Sequence, residues 1–148
     1  MQSRLWTVPG ARIKAGKTHR VPLSEPALKV LEGLPQTGSS YVFPAPRGGA
    51  LSDMALSAVC RRMHVNAVPH GFRSSFKDWA RNCTSYPDEV SELALAHVSS
   101  DATRAAYARD GLLMQRRKLL EEWGRFCAIE QESDLPLHNW TTSYVRVS

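Results

Sequence analysis

Leu5-Trp6-Thr7-Val8, then Pro9-Gly10-Ala11-Arg12-Ile13-Lys14-Ala15-Gly16-Lys17, then His19-Arg20-Val21-Pro22-Leu23-Ser24-Glu25-Pro26 is the stretch that decides the fold. Two short β-prone runs flank a basic connection punctuated by glycine, the pattern of a hairpin with a positively charged tip. The apolar period then changes. Ser24 is placed to cap a helix that has Glu25 and Pro26 in its first turn and Leu28, Leu31 and Leu34 along one side.

Downstream the chain reads mostly as helix. Gly38-Ser39-Ser40 breaks the first one, Tyr41-Val42-Phe43 reads as a short strand, and Pro44 to Gly49 as loop. Ser52 and Asp53 open a second helix with Leu51, Met54, Ala55, Ala58, Val59 and Met63 on a core face. A third is expected from about Gly71 to Asn82, packing through Phe72, Phe76 and Trp79. Pro87, Asp88 and Glu89 start a fourth that continues through Val90, Leu93 and Ala94 to His97. Ser99-Ser100-Asp101 caps a short helix carrying Tyr107, and the last helix spans about Leu112 to Ala128 with Leu113, Leu120, Trp123 and Cys127 inward. The expected class is α+β, mainly α, with a small antiparallel sheet near the N-terminus. Residues 1–128 form one domain, and 129–148 form a C-terminal tail that either docks or stays loose.

With 148 residues and 43% hydrophobic content, the chain can bury an ordinary core. Cys60, Cys83 and Cys127 are odd in number and far apart, which suits reduced thiols in a cytoplasmic protein. No apolar run approaches the roughly 20 residues of a membrane span. The net charge of +5 is uneven: Arg4, Arg12, Lys14, Lys17 and Arg20 lie within the first 24 residues without a single acid, and the rest balances to zero. A concentrated basic segment favours a polyanion such as nucleic acid, although a merely solubilising terminus has the same composition.

His70-Gly71-Phe72-Arg73, Leu95-Ala96-His97-Val98 and Ala105-Ala106-Tyr107-Ala108-Arg109 carry the chemistry. A guanidinium matches the paired oxygens of a phosphate and stays protonated through the transition state. Histidine donates to the same oxygens or exchanges a proton near neutral pH. Tyr107 sits between small residues, and Arg104 and Arg109 favour its anion, which makes it a candidate nucleophile. Lys14 on the hairpin can protonate a leaving alkoxide, but Arg12 and Lys17 are near enough that composition does not choose among them. Each residue also has a plainer reading: a buried histidine, a salt-bridging arginine, a histidine satisfied at a helix end, a core tyrosine.

Taken in order, these segments resemble the catalytic domain of tyrosine recombinases, in particular the integrases of phages and genomic islands. The likeness runs from about Leu5 to Phe126 and includes Trp6-Thr7-Val8-Pro9, Arg12-Ile13-Lys14-Ala15-Gly16, His19 to Ser24, His70 to Phe76, Asp78-Trp79-Ala80, Tyr86-Pro87, Glu92, Leu95 to Val98, Ala106-Tyr107 and Arg116-Arg117. The resemblance implies that Tyr107 attacks a scissile phosphate to give a 3'-phosphotyrosyl link. His70 would accept a proton or bind the phosphate, Arg73 and His97 would hold the phosphoryl oxygens, and Lys14 would protonate the departing 5'-oxygen. It further implies double-stranded DNA as partner, contacted by Arg12, Lys17, Arg20 and Arg104, and self-association on that DNA. No metal, small-molecule cofactor or membrane is expected. Members of the family carry another catalytic arginine, in a Gly-x-Arg-x-x-Glu-like segment ahead of the sheet. The sequence begins at Met1 without that segment, so a truncated and impaired recombinase is expected. The alternatives are a DNA-binding remnant without catalysis, a metal-free phosphodiesterase using His70 and His97 as an acid-base pair, or a helical interaction module.

Overall fold

The computed structural model describes residues 4–13, 16–97 and 112–128. Lys14, Arg104 and Tyr107, the expected helix around Tyr107, and the tail 129–148 lie outside the described residues.

The hairpin forms as the sequence predicts. Strand β1 (Leu5–Val8) pairs antiparallel with β2 (His19–Pro22), Leu5 opposite Pro22 and Val8 opposite His19. A single 3-10 turn, Gly10–Arg12, starts the connection. A Cβ on Gly10 would come within 2.4 Å of the Gly16 carbonyl oxygen, so the two sides of the connection meet only because Gly10 has no side chain.

Helix α1 (Glu25–Glu32) follows at once. Ser24 caps it, the hydroxyl accepting from the Ala27 amide at 3.4 Å, with Pro26 in the first turn. The remaining helices are α2 (Ala55–Arg62), α3 (Gly71–Cys83), α4 (Asp88–Ala94) and α5 (Leu113–Ala128). The described architecture is therefore mainly helical with one small antiparallel sheet.

Helix α5 is the hub, packing against α1, α3, α4 and β2. The core is small: Phe76 and Ala80 of α3, Val90 of α4 and Leu119 of α5, with Trp79, Tyr86, Leu95, Leu120 and Trp123 packed around them. Trp123 meets Phe76 edge-on at 5.5 Å and Trp79 at 5.1 Å, a favourable aromatic geometry that extends the apolar contact. Gly124 of α5 lies under the start of α1, where a Cβ would fall 2.5 Å from Ser24 Oγ. Glu121, one turn earlier, accepts from the Glu25 amide at 2.9 Å and so satisfies a second open donor of that helix start.

Five expectations are corrected. Tyr41-Val42-Phe43 is not a strand; it is a bend with all three side chains exposed, and no described strand lies beside it to complete its hydrogen bonds. Helix α2 starts at Ala55 rather than at Ser52-Asp53, no side chain caps it, and its supposed core face is solvated: Leu51, Met54, Val59 and Met63 are all exposed. Phe72 is likewise exposed, because the core-facing side of α3 runs through Phe76, Lys77 and Ala80. In α5 Cys127 is exposed, while Leu119 and Arg116 hold the buried positions.

The fifth concerns α4, which ends at Ala94 instead of running to His97. The Ala96 amide bonds the Leu93 carbonyl at 3.2 Å and the His97 amide bonds the Glu92 carbonyl at 2.9 Å, with Ala96 at φ 57°. This is a Schellman-type stop, whose left-handed position usually holds glycine. An alanine there hides the stop from a sequence reading.

Candidate functional site

The stop at Ala96 turns His97 back along α4 and towards α3. Arg73, in the first turn of α3, meets it there: one guanidinium nitrogen, NH2, lies 2.8 Å from His97 Nε2 and donates to the Leu95 carbonyl at 2.6 Å. Residues separated by twenty-four positions thus share one point in space. The other ring nitrogen, Nδ1, is bonded to Glu92 Oε2.

Behind this pair runs a chain of charges. Glu92 Oε1 is paired with the Nζ of Lys77, a lysine only 8% exposed. Lys77 also reaches Asp88 Oδ1 at 2.9 Å and Ser91 Oγ at 2.8 Å. Arg81 then closes on Asp88 through two bonds, 2.8 and 3.2 Å. The bonds from Arg81 and Lys77 hold the Asp88 carboxyl far below the usual carboxylate range. Glu92 is lowered as well, by Lys77 first and His97 after it. Both acids therefore stay ionised and act purely as acceptors.

His70 immediately precedes α3, and the Arg73 amide bonds its carbonyl at 3.1 Å, so the two residues stand one turn apart. The His70 side chain is exposed and has no hydrogen-bond partner among the described residues. It is not built into the described core. Arg12, Lys17 and Arg20 are exposed on the hairpin.

Two residues near the site carried no role in the sequence reading. His19 of β2 is half-buried; burial pushes its pKa below the ordinary 6.5, the charge of Arg116 pushes the same way, and a contact with the Ala94 backbone acts weakly against both. Arg116 of α5 is 6% exposed, donates to the Arg20 carbonyl at 3.1 Å, and has no partner for its Nε among the described residues. Burial first, and the Arg20 charge second, lower its pKa. A buried arginine inside an apolar-periodic helix gives little sequence signal, because arginine on a helix is normally solvated. Among the described residues no group of three His, Cys, Asp or Glu is placed to hold a metal ion, and no helix is long and apolar enough to cross a membrane.

The arrangement presents a guanidinium and an imidazole at one point, with a second, exposed histidine a turn away and a basic hairpin on the same domain. Such a set can bind two oxygens of a phosphate diester and move a proton beside it.

Comparison with known proteins gives a consistent picture. The chain is 35% identical over 124 residues to prophage integrase IntA of Escherichia coli K12, a match covering 80% of this chain and 30% of IntA. It is 30% identical over 126 residues to prophage integrase IntZ of the same strain, covering 79% and 30%. The integrase of Shigella phage Sf6 is 24% identical over 129 residues, covering 82% and 33%. The chain thus spans about a third of the length of the curated relatives it matches. No protein-family model matches it, and no solved structure does.

Proposed function

We infer, from the premise that this chain belongs to the phage-type integrase family, that it acts in site-specific recombination by cutting and rejoining DNA strands through a phosphotyrosyl intermediate. The Tyr107 phenol attacks the scissile phosphorus as its proton passes to His70. The bond to the 5'-oxygen breaks, and Lys14 supplies the proton that makes the leaving group a free 5'-hydroxyl. Arg73 and His97 bind the non-bridging oxygens, whose charge grows in the pentacoordinate transition state. The new phosphotyrosyl ester is close in energy to the diester it replaces, so a 5'-hydroxyl from a second duplex can reverse the step and exchange strands. Arg12, Lys17, Arg20 and Arg104 contact the flanking phosphates, and protomers associate on the paired duplexes.

The observation that carries this reading is the convergence of Arg73 and His97 at 2.8 Å. Among the described residues that clamp holds one arginine. A single transition-state phosphate contact is worth on the order of 3 kcal/mol, roughly a hundredfold in rate, so the chain assayed alone is expected to be slow. Adding a polypeptide that bears the Gly-x-Arg-x-x-Glu-like segment of a relative is expected to speed it.

The test is covalent trapping. DNA fragments retained by the protein define a junction sequence, and a duplex of that sequence, nicked beside the scissile phosphate, releases a short piece after cleavage and strands the adduct. An adduct on wild type that disappears in Tyr107→Phe is the expected result. Salt-sensitive binding with no adduct, even with the arginine-bearing segment supplied, would leave a DNA-binding remnant. Hydrolysis that survives Tyr107→Phe would point to the His70 and His97 phosphodiesterase.

A further inference from the structure

Glu92 is the residue whose bonds say most about how His97 works. Its two carboxylate oxygens are used in opposite directions, Oε1 by Lys77 of α3 and Oε2 by the Nδ1 of His97. Lys77 cannot swing away to water. It is buried, and Ser91 Oγ, Asp88 Oδ1 and the Asp88 carbonyl at 2.8, 2.9 and 3.3 Å hold its remaining donors. The carboxylate is therefore fixed in place as well as ionised.

An ionised carboxylate only accepts, so the His97 nitrogen facing it must carry the hydrogen. That leaves Nε2 with a bare lone pair, which agrees with its other neighbour: the Arg73 guanidinium has only donors, and a hydrogen on Nε2 would set two donors face to face at 2.8 Å. Carboxylate and guanidinium both select one ring form. The left-handed Ala96 aims the ring, and among the described residues the charged groups bonded to it are Arg73 from α3 and Glu92 from α4, with Lys77 of α3 behind Glu92.

We propose that Glu92, braced by Lys77, is a positioning residue that fixes His97 as the Nδ1–H tautomer with Nε2 turned to the point it shares with Arg73. This rests on the strand-transfer reading for its purpose, since that point is where a phosphoryl oxygen would sit. The arrangement has a chemical consequence. To donate to a phosphate oxygen, Nε2 must first take a proton from solvent, and the Arg73 to His97 bond must open so that both side chains donate to the ligand. Without a phosphate between them the two residues bond to each other, as they do here. Glu92 keeps the ring in the orientation that makes the exchange a matter of one proton and one bond, without a ring flip.

Nitrogen NMR of the His97 ring in the full 148-residue chain reads this directly. At a pH well above the ordinary titration of histidine, the wild type is expected to show a hydrogen-bearing Nδ1 and a bare Nε2. Glu92→Gln is nearly the same shape but has one acceptor oxygen for two donors. Buried, charged Lys77 takes that oxygen and the amide NH2 faces Nδ1, so the two ring signals exchange identities while Arg73, only partly buried, turns one N–H from Nε2 to solvent and keeps the Leu95 carbonyl. Lys77→Met in the Glu92→Gln background frees the oxygen and returns the wild-type pattern, which a loss of folding would not do. Unchanged ring signals in Glu92→Gln would overturn the assignment, and so would a double variant that stays switched. The strand-transfer reading is scored separately in the wild type by adding a short mixed-sequence duplex. Protonation of Nε2 is expected there. If the ring ignores DNA yet switches in Glu92→Gln, the Glu92 assignment stands and the strand-transfer reading falls.

Discussion

Lys77 Nζ lies 2.9 Å from Asp88 Oδ1, and this contact fastens α3 to α4 through a lysine that is almost wholly buried while its acidic partner remains half exposed. Removing the amine leaves carboxylates that water can reach, so the cost falls below the roughly 3–5 kcal/mol of a fully buried broken pair. Lys77→Ala also forfeits the Ser91 bond and the stem's packing. A loss of about 2 kcal/mol is expected. Lys77→Met keeps the stem and is expected to lose about half as much. Urea unfolding midpoints of both variants check this, and equal losses would show that the amine, not the stem, carries the contribution.

Arg73→Lys keeps the charge but loses the planar guanidinium, one nitrogen of which holds both the Leu95 carbonyl and His97 and the rest of which can fork onto a phosphate. Adduct formation in single-turnover trapping is expected to slow by about a hundredfold. The salt dependence of duplex binding should hardly change, because the count of neutralised phosphates is the same. A steep fall in binding with unchanged adduct chemistry would contradict the assigned role.

Acid is expected to destabilise the fold in two stages. His19 has its folded pKa below the ordinary 6.5, so the unfolded chain takes up a proton first. Its contribution to stability is whole above pH 6.5 and drains away as the pH falls through the lower folded value. Asp88 and Glu92 follow: both are lowered from ordinary values of 3.8 and 4.5, so what they contribute persists above that range and is lost further into acid. Chemical denaturation across pH should show both stages in the wild type, and His19→Gln should erase the first alone.

Ala96 occupies a left-handed position at φ 57° where an L side chain costs about 1–2 kcal/mol. Ala96→Gly removes that strain and adds a smaller unfolded-state penalty, so a net gain of up to about 1 kcal/mol is expected. Ala96→Val should lose more than the glycine gains. Thermal unfolding of the two variants gives the sign of each.

The hairpin, the Ser24 cap and the helices around residues 25–32, 71–83 and 113–128 were legible because local chemistry writes them: glycine-broken strands, a capping serine with proline behind it, apolar residues at helical spacing. The misses have a common physical origin in tertiary context. On α5 Leu120 and Trp123 do pack against the core as expected, but Cys127 extends the apolar period past it into solvent, and the fully buried row through Leu119 is disguised by Arg116, which donates to the Arg20 carbonyl of another element. Helix α2 has the right period for a core face, yet Met54 and Met63 stay exposed to solvent. At the site, sequence spacing nominated Arg73 and His97. Glu92 has a place only in the likeness, and neither it nor Lys77 draws a role from the sequence, because the stop at Ala96 folds residue 97 back on residue 92, a contact outside the usual helical intervals. Lys14 and Tyr107 lie outside the described residues.

The fastening of α5 to both ends of the hairpin-helix junction has a mechanical meaning. Arg116 grips the Arg20 carbonyl and Glu121 grips the Glu25 amide, while Gly124 lets Ser24 settle against the same helix. The base of the lysine-bearing hairpin is thus bolted to the long terminal rod, and any tilt of that rod sweeps the basic tip through an arc. Arg116, the residue that holds Arg20, lies in the first turn of that rod, and Tyr107 stands six positions before Leu113 in the sequence.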